Sequence, residues 1–562
     1  MYSSENFNPL PSLSTFVRPT CAPWRSLLLS LSLLLILAAP SWSQDKSPGT
    51  PPGAVPTTFV GVNVNSVGCS GCTNYPASGT DFGVIRLWDT SGTSWPEMQA
   101  SSGATLNTTK LDQVLQDAYN NSINHQAVGM YTFGRVPNWA SSVPGDSSCA
   151  YQSSGGTGQC DPPAFLNADG SGSDADWRAF ITALATHLNS LGSGYAPVKY
   201  FEVWNEIDRS TSLRTNNCNT VSDPNNCSYN GSDAQLLRLL EDMKCILTGT
   251  GTIHNYPNAY PTVPYSTACS STGWSTSATQ ISGAMFLSPS SHAQGTSGAV
   301  ANSTGVVQNF LYCNDSSIPR PDCNWNSSTG YWGSAAVDII NFHMKPGNEA
   351  QTGTNTDPET EMATEYGNAT GILDPTDLAK PFWDGEAGYS GNGWDPNGGD
   401  VNLSGEYVQQ AAFTARYMLG MWSLGIQNFD WYAWDISNFL ETGGTTTDAG
   451  IAYSTVASWM IGSTMTSSCA NVTGFTNPAG TQTLWSCTLT QNSWTGEVFW
   501  DTNSTAYNCD SGTCTTYGYN VLVHNPNWHY YQTPIGIPTK INSPYTIQVS
   551  NLPVIIMTNA VP

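Results

Sequence analysis

Eight short apolar segments alternate with longer amphipathic stretches, and this alternation restricts the fold more than any other feature of the chain. The segments are FVGVNVNS (59–66), FGVIRLW (82–88), HQAVGMYTFG (125–134), VKYFEVWNE (198–206), GAMFLSPS (283–290), AVDIINFH (336–343), KPFWDGEAG (380–388) and IQNFDWYAW (426–434). Between them, residues 110–121, 174–191 and 405–425 carry the clearest helical patterns. Buried strands that alternate with helices predict a (β/α)8 TIM barrel, which we assign to residues 58–460.

The last hundred or so residues have a different pattern. Helical periodicity stops near residue 461, and TLWSCTLTQ, TGEVFWDT, GYNVLVHN and YTIQVSNLPVIIM follow with a two-residue alternation. Such short alternating strands are typical of an antiparallel β-sandwich. The sequence therefore predicts an α/β barrel with a C-terminal β-sandwich domain at 461–562.

The N-terminus predicts export. Arg18 and Arg25 precede the apolar run SLLLSLSLLLILAAP (26–40), and small residues follow it. This pattern indicates a secretory signal peptide over 1–43, cleaved after Ser43. An uncleaved membrane anchor is the alternative, but the run is short for a full span. Residues 44–57 are rich in Pro and Gly and predict a linker, so we expect a secreted protein, extracellular or periplasmic, without membrane attachment after cleavage.

Cysteine usage agrees with export. The chain has 15 cysteines, and the 14 beyond Cys21 fall into couples that are close in sequence. These couples are Cys69 and Cys72, Cys149 and Cys160, Cys218 and Cys227, Cys245 and Cys269, Cys313 and Cys323, Cys469 and Cys487, and Cys509 and Cys514. An even number in an exported chain predicts disulfides, and pairing within each couple is one of the possible connectivities, which the sequence does not fix. Zinc is the alternative for CSGC (69–72), but one CxxC is a weak signal; we expect no metal and no cofactor.

The charge balance excludes several kinds of partner. The chain has 41 acidic and 17 basic residues and a formal net charge of −24. That surplus argues against nucleic acid and against anionic membranes. The sequence contains no phosphate-binding Gly-rich loop after a strand, no HExxH and no GxSxG. The chemistry must therefore come from another constellation of residues.

Two glutamates at strand ends supply that constellation. Active sites of these barrels lie at the C-terminal ends of the strands. Glu206 ends the fourth predicted strand and Glu386 ends the seventh, so the two lie roughly across the mouth from each other. Glycosidic bond cleavage needs such a pair: one protonated carboxyl for the leaving oxygen and one ionised carboxylate at the anomeric carbon. We predict that Glu206 and Glu386 are catalytic and that the substrate is a carbohydrate.

The neighbours of these glutamates refine the prediction. On a regular strand Asn205 and Glu206 would point to opposite faces, so the strand must end or bulge there. The Asn205 amide could then bind a sugar hydroxyl. Asp384 lies two residues before Glu386 and is expected to face the same way, which makes it the rival nucleophile. Glu202 lies deeper in its strand, and we interpret it as structural.

The motifs resemble a known group. WNE (204–206) at a fourth strand, with a second Glu at a seventh, resembles clan A of the retaining glycoside hydrolases. YFEVWNEID, RLWD, MYTFGRVPNWAS and FH (342–343) are most similar to glycoside hydrolase family 39, which includes β-xylosidases and exopolysaccharide hydrolases. The resemblance spans about residues 58–460.

This resemblance implies roles for individual residues. Glu206 falls at the position of the acid/base, Glu386 at that of the nucleophile and Asn205 at that of a sugar-binding amide. Arg86 and His343 match polar residues of the second and sixth strands. A conserved tryptophan of the eighth strand falls on Trp434 or Trp431. Related enzymes often carry Tyr shortly after the histidine, whereas this chain reads FHMKPGNEA.

Other interpretations remain open at this stage. His343 is equally compatible with a core histidine, and Trp88, Trp139 and Trp434 are individually compatible with core positions. Together, three tryptophans near strand ends favour a cleft that stacks on sugar rings. A non-catalytic carbohydrate-binding protein and an inverting glycosidase are the alternative functions. Loop lengths, rather than these motifs, decide the sugar and the choice of exo or endo action.

Overall fold

Eight parallel strands enclose the centre of the molecule in the computed structural model. They are β1 (Val60–Asn63), β2 (Val84–Leu87), β3 (Val128–Thr132), β4 (Val198–Glu202), β7 (Met285–Leu287), β8 (Ile340–Phe342), β9 (Phe382–Ala387) and β10 (Asn428–Trp431); β5 (Thr252–Asn255) and β6 (Tyr265–Ala268) form a separate hairpin. The sheet order is β7-β4-β3-β2-β1-β10-β9-β8, and a parallel bridge from Leu287 to Ile339 joins its two ends. The predicted (β/α)8 barrel is confirmed.

The structure describes most, but not all, of the chain. It describes residues 51, 53–65, 82–147, 156–207, 228–255, 265–291, 300–312, 332–344, 358–388, 407–435, 440–442, 445–473, 483–502, 519–523, 525–542 and 544–561. The predicted signal peptide and all or part of five of the predicted cysteine couples lie outside these residues. Within them, no helix is long and apolar enough to cross a membrane.

Helices surround the barrel. They are α1 (Trp95–Met98), α2 (Thr109–Asn121), α3 (Ala175–Ser190), α4 (Asp233–Thr248), α5 (Val300–Leu311), α6 (Trp332–Ala336), α7 (Pro358–Gly371), α8 (Pro375–Leu378), α9 (Tyr407–Leu424) and α10 (Asp448–Met460). The three helices predicted at 110–121, 174–191 and 405–425 correspond to α2, α3 and α9. Helix α4 has a clear local signal too, because Ser232 and Gln235 cap its N-terminus reciprocally and Gly249 ends it at φ +71°.

A polar layer lies above an apolar floor inside the barrel. The floor contains Val84, Met130, Leu287, Ile339 and Trp383, with Tyr200 against Trp383. Two residues further along the strands, Arg86 on β2 and Glu202 on β4 are completely buried and bonded to each other. Parallel strands all run towards the same rim, so the alternation of side chains brings these polar groups together beneath the mouth.

The C-terminal region consists of antiparallel sheets. It contains β13 (Thr464–Asn471), β14 (Leu484–Gln491), β15 (Trp494–Asp501), β16 (Tyr519–Val523), β17 (Tyr530–Gln532), β18 (Thr539–Lys540), β19 (Tyr545–Val549) and β20 (Val554–Met557), and β11 (Glu441–Thr442) with β12 (Thr445–Thr446) forms a short ribbon before it. Six of these strands form one sheet, and β16 pairs with β19. Val523 and Ile547 of that pair pack on Leu484 and Val554 of the larger sheet, which confirms the predicted sandwich.

The segment before β1 contacts this C-terminal region. Val55 donates its amide to the Ser463 carbonyl at 2.8 Å and accepts from Gly462 at 2.8 Å. Its side chain is buried. Residues 54 and 55, which the predicted linker of 44–57 includes, are therefore built into the fold.

Two predicted disulfides can be compared with the structure. Cys245 and Cys269 are bonded, as predicted. Cys469 and Cys487 are not bonded, although they lie on the adjacent strands β13 and β14. The register of the two strands shifts between Ser467 and Ala470. The Cys469 Sγ lies 3.6 Å from the Leu419 carbonyl of α9, and burial together with the Cys469 side chain raises the pKa of the Cys487 thiol. Sequence proximity could not reveal this irregularity.

A buried ion pair joins the barrel helices to the C-terminal sheet. Glu359 on α7 accepts two bonds from Arg416 on α9, at 2.7 and 2.6 Å, and one from Trp500 Nε1 on β15 at 2.7 Å. Arg416 is completely buried. A buried cation that loses its carboxylate has no water to replace it.

We expect Glu359→Ala to destabilise the protein by about 3–5 kcal/mol, because it strands the Arg416 charge. Denaturant unfolding measures the loss. The double variant Glu359→Ala/Arg416→Met removes the stranded charge and should recover a large part of the stability. If the double variant lost as much unfolding free energy as Glu359→Ala and Arg416→Met lose together, the two side chains would not be coupled.

Candidate active site

Glu206 projects from an irregular segment that follows β4. The strand ends at Glu202, and Glu206 has φ +46°, in the left-handed region that non-glycine residues rarely occupy. Ser290 fixes the segment: its Oγ accepts from Glu206 N at 3.0 Å and its carbonyl accepts from Ile207 N at 3.0 Å. The prediction that the strand ends or bulges at Asn205 and Glu206 is confirmed. Backbone strain of this kind concentrates at functional sites.

Glu386 and Asp384 do not share a face, contrary to the expectation from strand alternation. The register between β9 and β10 shifts, so that Asp384 pairs with Phe429 whereas Ala387 pairs with Trp431. Asp384 accepts from Tyr417 OH on α9 at 2.5 Å and from the Met344 amide at 2.9 Å. The bulge turns Glu386 towards the barrel mouth and leaves Asp384 bonded to the surrounding helix.

Arg86 connects the polar groups of the site. Its Nη1 donates to Glu386 Oε2 at 3.1 Å, and its Nη2 donates to Glu202 at 2.9 Å and to Asn205 Oδ1 at 2.5 Å. Burial opposes the charged guanidinium, but Glu202 and Glu386 outweigh it and raise the pKa of Arg86. Arg86 therefore stays cationic and favours an ionised Glu386.

Glu202 is the structural partner of Arg86, as the sequence predicted. Its carboxylate also accepts from Thr132 Oγ1 at 2.8 Å and from the Ser290 amide at 3.1 Å. With its oxygens already bonded inside the barrel, Glu202 holds the guanidinium in place.

His343 lies between the two predicted catalytic carboxylates. Its Nδ1 is 3.1 Å from Glu206 Oε1 and 3.5 Å from Glu386 Oε2, and its Nε2 is 3.4 Å from Arg86 Nη2. Burial lowers the pKa of His343, and Arg86 adds to this, against the opposing effect of Glu386 and Glu206. The imidazole is therefore neutral. Because a guanidinium only donates, Nε2 must accept, and the proton is on Nδ1, which donates to Glu206.

The two glutamates approach each other closely. A carboxylate oxygen of Glu206, one of Glu386 and a ring nitrogen of His343 all lie within 4.8 Å of one another. The exposed fractions are 2% for Glu206 and 4% for Glu386. Two carboxylates and an imidazole could in principle hold a cation, but the Arg86 guanidinium already contacts this group and supplies positive charge.

Asn205 presents an unused donor to the same region. Its Oδ1 accepts from Arg86, while its buried Nδ2 has no partner among the described residues. The backbone around Asn205 is tightly packed: Gly134 adopts φ +146°, and a Cβ there would lie 2.7 Å from the Trp88 ring and 3.2 Å from the Asn205 backbone nitrogen. A buried amide donor without a partner is costly unless a ligand uses it.

The predicted tryptophans divide into different environments. Trp88 is buried, and the Arg135 guanidinium lies 4.7 Å above its ring. Trp434 is completely buried and donates to Glu441 at 2.9 Å. Trp139 is half-buried. Its described contacts are with the Trp95 ring and the Gln99 carbonyl, and none of them is with Glu206 or Glu386. Trp431, the alternative to Trp434, packs edge-on against Tyr417.

Sequence reasoning missed a second polar group at the strand ends. Asp89 accepts from Tyr432 OH at 2.7 Å and from Arg135 at 2.5 Å. Burial raises the pKa of Asp89, which Arg135 opposes, and burial together with Asp89 and Glu386 raises the pKa of Tyr432. The sequence did carry one signal for this group: Asp89, Arg135 and Tyr432 each lie within three residues of the C-terminal end of a barrel strand.

Asp430 is a buried carboxylate on β10 that no described donor satisfies. Neither oxygen accepts a hydrogen bond of regular geometry from a described residue, although the Asn428 side chain interacts with the carboxylate, and the residue is completely buried. Burial raises its pKa well above the usual 3.8, although Arg86 opposes the shift. The folded protein thus holds a proton that the unfolded chain releases above about pH 4, so this residue makes folding less favourable as pH rises.

We expect Asp430→Asn to leave the unfolding free energy nearly unchanged at pH 4 and to raise it by about 1–3 kcal/mol at pH 8. Asn keeps the shape but does not titrate. Chemical denaturation at several pH values measures the difference. Asp176→Asn, at a partly exposed position, is the matched control and should show no such pH dependence. A difference for Asp430→Asn that is constant with pH would contradict this account.

Comparison with known proteins gives likenesses of fold. No protein-family model and no curated protein matches the chain. A GH30 endoxylanase from Clostridium papyrosolvens C71 is similar with a TM-score of 0.46 and 10% identity, covering 91% of this chain and 99% of that one. A glucosidase from Croceicoccus marinus is similar with a TM-score of 0.48 and 11% sequence identity, and the match covers 92% of this chain and 98% of that one. A family 51 α-L-arabinofuranosidase from Bifidobacterium longum is similar with a TM-score of 0.45 and 9% sequence identity, and the match covers 90% of this chain and 97% of that one. Membership of family 39 stays a prediction.

Proposed function

We propose that the protein is a secreted retaining β-glycosidase that hydrolyses O-glycosidic bonds of oligo- or polysaccharides by double displacement. The observation that carries the proposal is the approach of Glu206 and Glu386 to within 4.8 Å at the barrel mouth. Retaining enzymes hold their two carboxyl groups about 5–5.5 Å apart, whereas inverting enzymes need about 6.5–9.5 Å to admit a water molecule. The 4.8 Å limit refers to one oxygen of each carboxylate, and it fits the retaining range, which supports direct attack by one carboxylate.

The first step follows from the unequal surroundings of the two glutamates. Arg86 donates to Glu386 and favours its ionised form, which suits a nucleophile. Neutral His343 donates to Glu206 Oε1, and Glu206 receives no guanidinium bond of the kind that Arg86 makes to Glu386 in the described residues. Glu386 attacks the anomeric carbon and forms a glycosyl ester, while Glu206 gives its proton to the leaving oxygen as the glycosidic bond breaks.

The second step reverses the proton transfer. Glu206, now ionised, takes a proton from water as the water oxygen bonds to the anomeric carbon and the bond to Glu386 breaks. The sugar leaves with its original anomeric configuration, and both carboxyl groups return to their starting state.

Asn205 has a binding role in this proposal. Its free Nδ2 donor lies beside the residue that protonates the leaving group. A hydrogen bond to the sugar 2-hydroxyl would satisfy the donor and strengthen in the transition state. Trp88, Trp139 and Trp434 stay candidates for substrate contact, with Trp139 the most exposed of the three.

Two measurements together test the proposal. A panel of aryl β-glycosides and of plant and bacterial polysaccharides identifies a substrate, and proton NMR then identifies the first-formed anomer of the product. We expect the β-anomer before mutarotation. An α-anomer would make the enzyme inverting and Glu386 a general base, and binding without turnover across the panel would favour the non-catalytic alternative.

A further inference from the structure

A second pair of buried carboxylates lies in the segment between β3 and α3. The exposed fractions are 8% for Asp146 and 1% for Asp161. A carboxylate oxygen of each lies within 4.8 Å of the other. The Asn230 amide lies against both, at 3.4 Å from Asp146 Oδ2 and 2.7 Å from Asp161 Oδ1. A neutral amide does not cancel the repulsion of two buried like charges, which a shared proton or a cation would relieve.

Asp161 lacks a charged partner. Its Oδ1 accepts from the neutral Asn230 amide at 2.7 Å, and its buried Oδ2 has no hydrogen-bond partner in the part of the chain that the structure describes. No ion pair joins Asp161 to any Lys or Arg that the structure describes.

We propose that Asp146 and Asp161 bind a hard divalent cation of the calcium type. Two oxygens that each lie 2.3–2.6 Å from one Ca²⁺ are at most about 5.2 Å apart, and the observed separation fits within this limit. Asn230 can present its amide oxygen after a half-turn of the side chain, and its partial exposure leaves room for water ligands.

The identity of the available ligands favours calcium over zinc. The Cys160 Sγ also lies within 4.8 Å of both carboxylates, but Cys160 is disulfide-bonded. A disulfide sulfur carries no thiolate charge and is a poor metal ligand. Only oxygen ligands remain, and calcium is a cation that prefers them.

The ion would join two loops at the same end of the barrel. Asp146 and Asp161 belong to the loop that follows β3, and Asn230 precedes α4, which follows β4. The Asn230 amide already donates to the Cys160 carbonyl at 2.8 Å. Both loops leave the C-terminal ends of barrel strands, so a cation here would stabilise one wall of the mouth.

Thermal unfolding of the mature protein at pH 7.5 tests this proposal. We expect 5 mM CaCl₂, added after treatment with EDTA, to raise Tm by at least about 3 °C. The Asp161→Asn variant should lose this response, and the matched control Asp176→Asn should keep it. Equilibrium dialysis of the wild-type protein with ⁴⁵Ca²⁺ gives a second readout that needs no variant, and we expect one ion per chain.

Three results would overturn the proposal. The first is a wild-type protein that neither responds to CaCl₂ nor retains ⁴⁵Ca²⁺; a higher Tm for Asp161→Asn in that case would indicate a shared proton. The second is an equal calcium response in Asp161→Asn and the wild type. The third is equal loss of the response in Asp176→Asn, which would indicate binding to the acidic surface in general. None of these readouts depends on glycosidase activity.

Discussion

Replacing Glu386 by Ala is expected to abolish turnover of both natural and activated glycosides, with a loss of about 10⁴-fold or more. Without the carboxylate that Arg86 holds at 3.1 Å, no glycosyl ester can form. A better leaving group cannot compensate, because the missing group is the nucleophile. Initial rates on a 2,4-dinitrophenyl glycoside and on an oligosaccharide measure the loss.

Asp384→Asn is the matched control for this variant. Asp384 lies two residues away on the same strand, but it bonds Tyr417 and the Met344 amide. We expect the control to lower stability and to keep the chemical step. Should Asp384→Asn abolish turnover while Glu386→Ala remains active, the nucleophile would be Asp384.

Replacing Glu206 by Ala is expected to separate the two steps of the reaction. Natural glycosides should lose about 10²- to 10⁴-fold in rate, because their leaving oxygen needs a proton. A dinitrophenolate leaves without help, so the first step should survive and the second step, deprived of its general base, should become limiting. Stopped-flow measurement should therefore show a burst of dinitrophenolate followed by slow turnover.

Azide provides a further check on the assignment of roles. This small anion fits the space that a removed carboxylate leaves and needs no general base. In Glu206→Ala it should speed the second step and give a β-glycosyl azide, since it attacks the ester from the side of the lost acid. An α-glycosyl azide from Glu206→Ala would mean that the roles of Glu206 and Glu386 are exchanged.

The sequence predicted the barrel because a strong periodicity encodes it. Each of the eight apolar segments contains a strand, and the three clearest amphipathic stretches are α2, α3 and α9. Strand parity also predicted that the chain must leave regular geometry at Glu206, and the φ of +46° agrees. The resemblance implied a site role for Arg86, and Arg86 is bonded to Glu386.

The alternation of side chains along a strand gave a wrong prediction where the chain departs from regular strand pairing. The shift between β9 and β10 separates the directions of Asp384 and Glu386. Such bulges arise from packing against distant segments and leave no local signal. The group of Asp89, Arg135 and Tyr432 was missed for a related reason: it assembles from three strand ends far apart in sequence.

Direct identification of the covalent intermediate tests the central claim most directly. The Glu206→Ala protein is mixed with a dinitrophenyl glycoside, quenched in acid during the burst, digested with pepsin and sequenced by tandem mass spectrometry. We predict one glycosyl group per chain, attached to the carboxylate of Glu386. A sugar attached to Asp384, or a fully active wild-type enzyme whose variant shows no attached sugar and whose product is the α-anomer, would contradict double displacement through Glu386.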